Sequence, residues 1–475
     1  MEAPSLLKGS VYLLVAQAVF VGAGYAVQIF LGRLLGPALY GNYGVVVSVV
    51  SLISLICISG IGQAVSKFVA EDKERAEAVK QKALLIQLVL STVVGVIYFL
   101  SAGFIALLLN DASLTPLIQI SALMLPGYAL FSVFTSYFNG TREYGKQSII
   151  QIIYNIAKFI LIVGLALAGF SVGGAMLGFA LAPILGLISG FLLTGWHKTN
   201  KKFKAMDLVK FGVPAIIFSM ALSFTIESSL LSVKAIMPAD SAGYYNAAYQ
   251  IARVLVFFTG ALTGVLFPVV SHSTHNLLKE ETKMHVQKII KYMLIFLVPG
   301  AIVLFALPEQ LMNLFFGSKY LAGAEALSIL GIALFVYSFY TLFATILLAS
   351  NKPKQTMLIS IFVILIALLL NFTFIPIFGL DGPAFGIIVS SSIGAIICYL
   401  YAKKKIDFSL PKKSISNTFI AGLALLATAY FIKLNGILFI LEAAALVGLY
   451  FGILILLKEI TVNELIHIAS FTKKG

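Results

Sequence analysis

Apolar stretches of about twenty residues recur from one end of this chain to the other, and each can cross a hydrocarbon layer about 30 Å thick. Lipid offers no water to the backbone, so each stretch must satisfy its own peptide groups, which makes it a helix. Strands of a barrel would be half as long and would alternate. Fourteen such spans can be marked: 9–31, 42–66, 83–108, 115–138, 148–169, 172–195, 208–233, 243–270, 290–307, 322–349, 355–376, 382–402, 414–432 and 437–457. Composition agrees. The chain is 60% hydrophobic and 11% charged, whereas a soluble domain carries roughly 25% charge. The expected fold class is an all-α integral membrane protein of about 14 transmembrane helices. The first stretch is too long for a signal-peptide core and lacks a small-residue cleavage site, so it reads as the first span. Cys57 and Cys398 each lie inside an apolar stretch and read as small packing residues, not as a disulfide pair.

The formal net charge of +14 would suit a nucleic-acid binder, but the placement of the cations argues otherwise. If the N-terminus is cytoplasmic, the inner segments hold 27 of the 33 lysines and arginines. The outer loops hold four, Arg33, Lys234, Lys319 and Lys433, while Lys158 and Arg253 lie inside spans. Basic residues are retained on the inner side and attract anionic lipid. A multi-pass protein of the cytoplasmic (cell) membrane with both termini cytoplasmic is therefore expected, with no nucleic-acid partner. His272, His275 and His285, beside Glu280 and Glu281, read as a solvated face and not as a metal site. The mixed-charge run Glu71–Lys82 reads as a solvated helix. There is no Walker loop or dinucleotide fingerprint to suggest direct ATP drive.

The chain repeats itself. Arg33-Leu-Leu-Gly-Pro37-Ala-Leu-Tyr40-Gly41 joins the first two spans, and Lys234-Ala-Ile-Met-Pro238 leading to Gly243-Tyr244-Tyr245 joins the seventh and eighth. In both, a cation precedes a proline by four residues and a Gly/Tyr cluster opens the next helix. A second echo, Gly174-Ala-Met-Leu-Gly178 and Gly382-Pro-Ala-Phe-Gly386, lies 208 residues apart. Six spans separate the copies, so both halves enter the membrane in the same direction, a known transporter plan. The expected domains are an N-lobe over 1–200, a C-lobe over 201–408, and an appended helix pair with a cytoplasmic tail over 409–475. The basic segment Trp196–Lys210 links the two lobes.

Polar residues inside the spans mark where chemistry is expected, because each embedded charge costs about 2.5–3.5 kcal/mol on insertion scales. Gln151, Asn155 and Lys158 in span five, and Asn246, Gln250 and Arg253 in span eight, share the spacing i, i+4, i+7 and so fall on one helix face. Ser219, Ser223, Glu227 and Lys234 line span seven, and Ser10, Gln17, Gly24 and Gln28 line span one. These stripes either face a cavity or tie helices together by hydrogen bonds. The embedded acids are Glu227 and Glu442. Lys158 and Arg253, with Arg33 and Lys234 nearer the outer side, outweigh Glu227, and that balance suits an anionic ligand such as a phosphate or pyrophosphate. Placed in facing lobes, Lys158 and Arg253 would clamp it. The expected substrate-binding set is Arg33, Lys158, Arg253, Asn155, Gln250, Gln28, Glu227 and Lys234, with no catalytic and no metal-binding residues.

The segment Gly32-Arg33-Leu-Leu-Gly36-Pro37-Ala-Leu-Tyr40-Gly41 resembles the first-helix signature of the polysaccharide transporter (Wzx-type flippase) family. That family belongs to the multidrug/oligosaccharidyl-lipid/polysaccharide exporter superfamily. Fourteen spans, two similar six-helix lobes and an extra pair extend the resemblance over essentially the whole chain. The resemblance implies flipping of a polyprenyl-(pyro)phosphate-linked oligosaccharide by alternating access, in a monomer linked functionally to glycosyltransferases. No cofactor is implied, and a coupling ion, H+ or Na+, is left open. Cationic cavity residues of such flippases correspond in role to Arg33, Lys158 and Arg253; the role of Glu227 is inferred from this sequence alone. The alternative is a drug or organic-cation antiporter of the same superfamily, which would want embedded carboxylates that the first lobe lacks within its spans. A membrane enzyme would need a sizeable loop outside the membrane, and the outer loops are too short for a catalytic domain.

Overall fold

The computed structural model describes residues 6–460 apart from 196, 198, 200, 202, 276–278, 351 and 432–437. Trp196 of the expected linker, Lys433, the side chains of Ser10, His272 and His275, and the tail after 460 lie outside the described residues. Among the described residues every regular element is helical.

Packing divides the chain into two compact units, one of residues up to Glu227 together with Lys234–Gly243, the other of Ser228–Val233 and the residues from Tyr244 onward. The first contains α1 (Leu6–Glu71), α2 (Ala76–Leu100), α3 (Ala102–Leu108), α4 (Leu114–Ala122), α5 (Met124–Thr141), α6 (Tyr144–Leu165), α7 (Ser171–Thr194) and most of α8 (Ala205–Ile236). The second contains most of α9 (Ala239–Ala252), then α10 (Val254–His275), α11 (Lys279–Ala306), α12 (Pro308–Phe315), α13 (Ala324–Ala349), α14 (Pro353–Phe378), α15 (Gly382–Ile406), α16 (Lys412–Phe431) and α17 (Leu438–Leu456).

Nine helical runs among the described residues are long and apolar enough to cross a membrane, or ten if α9 and the start of α10 count as one bent span. Three of the nine, Val11–Glu71, Tyr144–Thr194 and Pro353–Ile406, are 61, 51 and 54 residues long, more than twice the ~20 that one crossing needs. Each is broken at a glycine in the left-handed region: Gly36 (φ 73°), Gly169 (φ 96°) and Gly379 (φ 58°). The outer connections expected at 32–41, 170–171 and 377–381 are thus tight breaks within long helical runs. At the first break Pro37 starts the next helical stretch, where its fixed φ suits a first-turn position and its missing N–H costs nothing.

The two glycine echoes have one physical purpose. A Cβ at Gly178 would sit 2.5 Å from the Ile162 nitrogen on α6, and a Cβ at Gly386 would sit 2.8 Å from Asn371 Oδ1 on α14. In each copy the bare glycine lets a helix fold back hard against the one before it, α7 on α6 and α15 on α14. Small residues permit such close approach where hydrophobic driving force between helices is absent.

In the first unit α1, α5, α6 and α7 pack together over Val65, Val69, Phe134, Phe138 and Ile150. Tyr154 of α6 meets Phe131 (5.0 Å between ring centroids) and Tyr128 (5.6 Å) of α5. In the second unit α13 packs against α10, α11 and α15, and α16 is carried on α11. Buried Glu459, just past α17, fastens this end. It accepts hydrogen bonds from Ser414 Oγ (2.5 Å) and Asn417 Nδ2 (2.8 Å), and Lys291 Nζ donates to its carbonyl at 2.7 Å.

The run Glu71–Lys82 is not the solvated helix that its charge pattern suggests. Asp72 caps a single turn, with Oδ1 accepting from the Glu74 and Arg75 amides, and α2 then buries Lys80. The Lys80 ammonium lies 2.9 Å from Glu77 Oε2 and 3.3 Å from the Gly195 carbonyl, with the Tyr137 ring centroid at 5.1 Å. Gly195 ends α7, so the cation also meets the negative end of that helix. Its own helix supplies one partner, Glu77, and tertiary packing supplies two more, and burial follows.

Candidate functional site

The side chains singled out by sequence fall in both units. In the first, Gln151, Asn155 and Lys158 do lie along α6. Asn155 is buried and turns back on its own helix, its Nδ2 donating to the Gln151 carbonyl at 2.8 Å. Lys158 is half-buried, with Nζ 5.3 Å from the centroid of the Phe179 ring on α7. Phe30 of α1 meets Phe159 at 5.7 Å, which sets the first half of α1 beside this turn of α6. That half carries Gln28 and Arg33. Gln28 Oε1 accepts from the Tyr40 hydroxyl at 2.9 Å across the Gly36 break, and Arg33 is exposed.

Glu227 is buried on α8, at the boundary of the first unit. Lys234, two turns further on, is buried as well and is engaged: Nζ lies 2.6 Å from Asp111 Oδ2 and donates to Asn42 Oδ1 at 2.8 Å. Burial acts to raise the Asp111 carboxyl. The donors Lys234 and Ser113 and the lysine charge outweigh it, and the group titrates below the usual carboxylate range. With that sign, the native state gains stability from Asp111 ionised above the ordinary carboxylate pKa and loses it only as pH falls through the lowered value. The ion pair is therefore fully formed at neutral pH.

In the second unit Arg253 stands at a helix break. α9 ends at Ala252 and α10 begins at Val254, and the two are bent by 42°. The span expected to run straight from 243 to 270 is therefore two helices. Neither proline nor glycine stands at the break, and the Arg253 amide still donates to the Tyr249 carbonyl at 2.9 Å. The guanidinium carbon lies 5.6 Å from the Tyr249 ring centroid and 5.5 Å from that of Phe257, one ring from the turn before and one from the turn after. Gln250 Nε2 donates to Asn246 Oδ1 at 3.2 Å, and among the described residues the buried Asn246 Nδ2 meets no hydrogen-bond partner. A buried amide left unsatisfied costs free energy in place and is a ready donor to an incoming oxygen.

Sequence reasoning missed Asp111, Asn110 and Asn42. The run Asn110-Asp111-Ala112-Ser113 carries a legible turn signal, since Asn tolerates φ 51° and Asp111 Oδ1 accepts from Ser113 N and Oγ. Nothing in it points to a lysine 123 residues away. Chemically, each unit offers a cation set against aromatic side chains, with carboxamides on the helix that carries or precedes it, and such groups can bind an anion and hydroxyls. Among the described residues no cluster of three or more His, Cys, Asp or Glu could hold a metal ion.

A family model described as "Polysaccharide biosynthesis protein" matches residues 30–325. An uncharacterized membrane protein of Methanocaldococcus jannaschii is 25% identical over 408 residues, which is 82% of this chain and 95% of that protein. A probable low-salt glycan biosynthesis flippase, Agl15, of Haloferax volcanii is 20% identical over 460 residues, covering 95% of this chain and 94% of its own length. Among solved structures, the lipid II flippase MurJ in an inward closed conformation superposes with a TM-score of 0.75 at 16% identity. That likeness of fold covers 97% of this chain and 99% of the other.

Proposed function

Since the chain belongs to the polysaccharide biosynthesis protein family, we propose that it is a flippase moving a polyprenyl-(pyro)phosphate-linked oligosaccharide across the membrane by alternating access. The observation that carries this reading is the match along nearly the whole chain to a glycan biosynthesis flippase. The chain is a transporter and not an enzyme: it supplies binding groups for a passenger that leaves unchanged. Lys158 and Arg253 attract the anionic linkage, and the arginine fork suits a bidentate grip on phosphate. Asn155, Gln250 and Gln28 offer amides to sugar hydroxyls, Arg33 adds charge toward the outer side, and Glu227 moderates the positive field. The prenyl chain stays in lipid, where it needs no site. We read each of the three glycine-broken runs as two crossings, which together with α9–α10 and α17 restores the fourteen expected. The same reading takes residues 1–200 and 201–408 as lobes, with 409–475 appended, in a monomer that works beside glycosyltransferases.

In a strain lacking this chain, the lipid-linked glycan should accumulate on the inner leaflet and surface glycan should fall, and re-expression should restore both. Unchanged lipid-linked glycan and surface glycan in that strain would rule the reading out. The orientation we propose, in the cytoplasmic membrane with both termini inside, rests on the distribution of lysine and arginine. A cysteine placed at Ser318 should react with an impermeant thiol reagent on intact cells, whereas one at Lys201 should react only after lysis. The opposite pattern would invert the orientation.

A further inference from the structure

The turn between α8 and α9 is held in the first unit by polar side chains on one flank and by close backbone approach on the other. Residues 238–240 at its tip are exposed. On one flank stands Lys234, its side chain 3% exposed, paired with Asp111, whose side chain is 22% exposed. Asp111 is set for this task. Its Oδ1 is taken up by Ser113 N (3.0 Å) and Oγ (2.6 Å), which leaves Oδ2 for the lysine at 2.6 Å. The preceding residue, Asn110, donates from Nδ2 to the Ala235 carbonyl at 2.7 Å, and Asn42 accepts from Lys234 at 2.8 Å. On the other flank the backbone itself makes the contact. A Cβ at Gly243 would lie 2.0 Å from the Pro37 carbonyl oxygen, and one at Gly41 would lie 2.6 Å from the Gly243 nitrogen. The two copies of the repeated junction therefore touch each other through their glycines, at the Gly36–Pro37 break in α1.

The ion pair stands at the edge of the buried region: the lysine is almost wholly covered, but the Asp111 side chain is 22% exposed, so water reaches the carboxylate when the pair parts. We propose that Lys234, Asp111, Asn110 and Asn42 form a releasable clasp on the α8–α9 turn, one that must open in each transport cycle. This assigns Lys234 to the clasp and not to the substrate. Only the transport arm of the test rests on the proposed function; the exchange arm reads the protein alone.

Hydrogen exchange of the full-length protein in lipid nanodiscs, without substrate, follows the amides of 236–243. Asp111→Asn and Lys234→Met should each speed that exchange roughly tenfold, the factor expected when one charge-assisted contact is lost. Asn42→Ala, a milder change, should speed it less, and peptides of α13 should not respond. Exchange in 236–243 that is unchanged in all three variants overturns the clasp. In the second arm, cysteines replace Asp111 and Lys234 together and a cleavable bifunctional thiol reagent bridges them, with single-cysteine chains as controls because native Cys57 and Cys398 are both buried. Bridging should stop restoration of surface glycan, and cleaving the bridge should recover it. Transport that continues through a complete bridge also overturns the proposal. A chain that fails the strain test yet shows the exchange effect would discard the flippase reading and leave the clasp standing.

Discussion

Alanine at Arg253 removes transport while the protein still reaches the membrane in normal amount. The expected loss in flipping rate is about 30- to 160-fold, since a charge-assisted hydrogen bond to an ionised group contributes on the order of 2–3 kcal/mol. Alanine at Lys158 acts in the same direction, and the double variant falls to background. The two positions differ under conservative exchange. Arg253 lies between the Tyr249 and Phe257 rings at the bend joining α9 to α10. A planar guanidinium can stack there and still present a fork to phosphate, whereas an ammonium cannot. Arg253→Lys is therefore harmful although charge is kept. Lys158 lies over the Phe179 ring and acts as a point charge, so Lys158→Arg is tolerated. Measuring membrane abundance and surface glycan together decides the matter. A fall in abundance that accounts for the whole loss of glycan would make both cations structural, and wild-type glycan in the double variant would remove them from the site.

Lys80→Met should lower the stability of the first unit by about 3–5 kcal/mol, the usual effect of removing one partner from a buried ion pair. The side chains of Lys80 and Glu77 are 1% and 15% exposed, so the Glu77 carboxylate would be left with little water. The end of α7 would lose its cation and Tyr137 its charged neighbour. Lys80→Met together with Glu77→Gln removes both charges, and it should recover most of the loss because no buried charge is then orphaned. Thermal melting in detergent, followed by monodispersity, reads all three chains. A Lys80→Met melting temperature within a degree or two of wild type would show that the pair contributes nothing measurable.

How far the sequence reaches can be judged residue by residue. Among the described residues the apolar runs are helical, and the stripe Gln151, Asn155, Lys158 lies on α6 as its spacing requires. The repeated glycines Gly178 and Gly386 mark equivalent close approaches of neighbouring helices. Lys80 is a different case. It lies in a mixed-charge run, and only the return of the α7 end and of α5 across it explains its burial. The bend at Arg253 carries no proline or glycine signal.

The membrane-spanning helical class follows from the order of residues alone, because the length of an apolar run and the need to satisfy a backbone in lipid are local properties, legible in one window at a time. The same holds for where embedded charge must be compensated. Which partner compensates it emerges from the fold. Lys234 finds Asp111 from 123 residues away and Asn42 from 192, and Lys80 finds the Gly195 carbonyl from 115. Each pairing depends on two remote segments being folded to within 3.5 Å, and a carboxylate or carbonyl looks the same in sequence whether or not a cation will meet it. Folding also turned expected loops into tight breaks at Gly36, at Gly169 with Ser171, and at Gly379, since residues with positive φ end a helix in a single step.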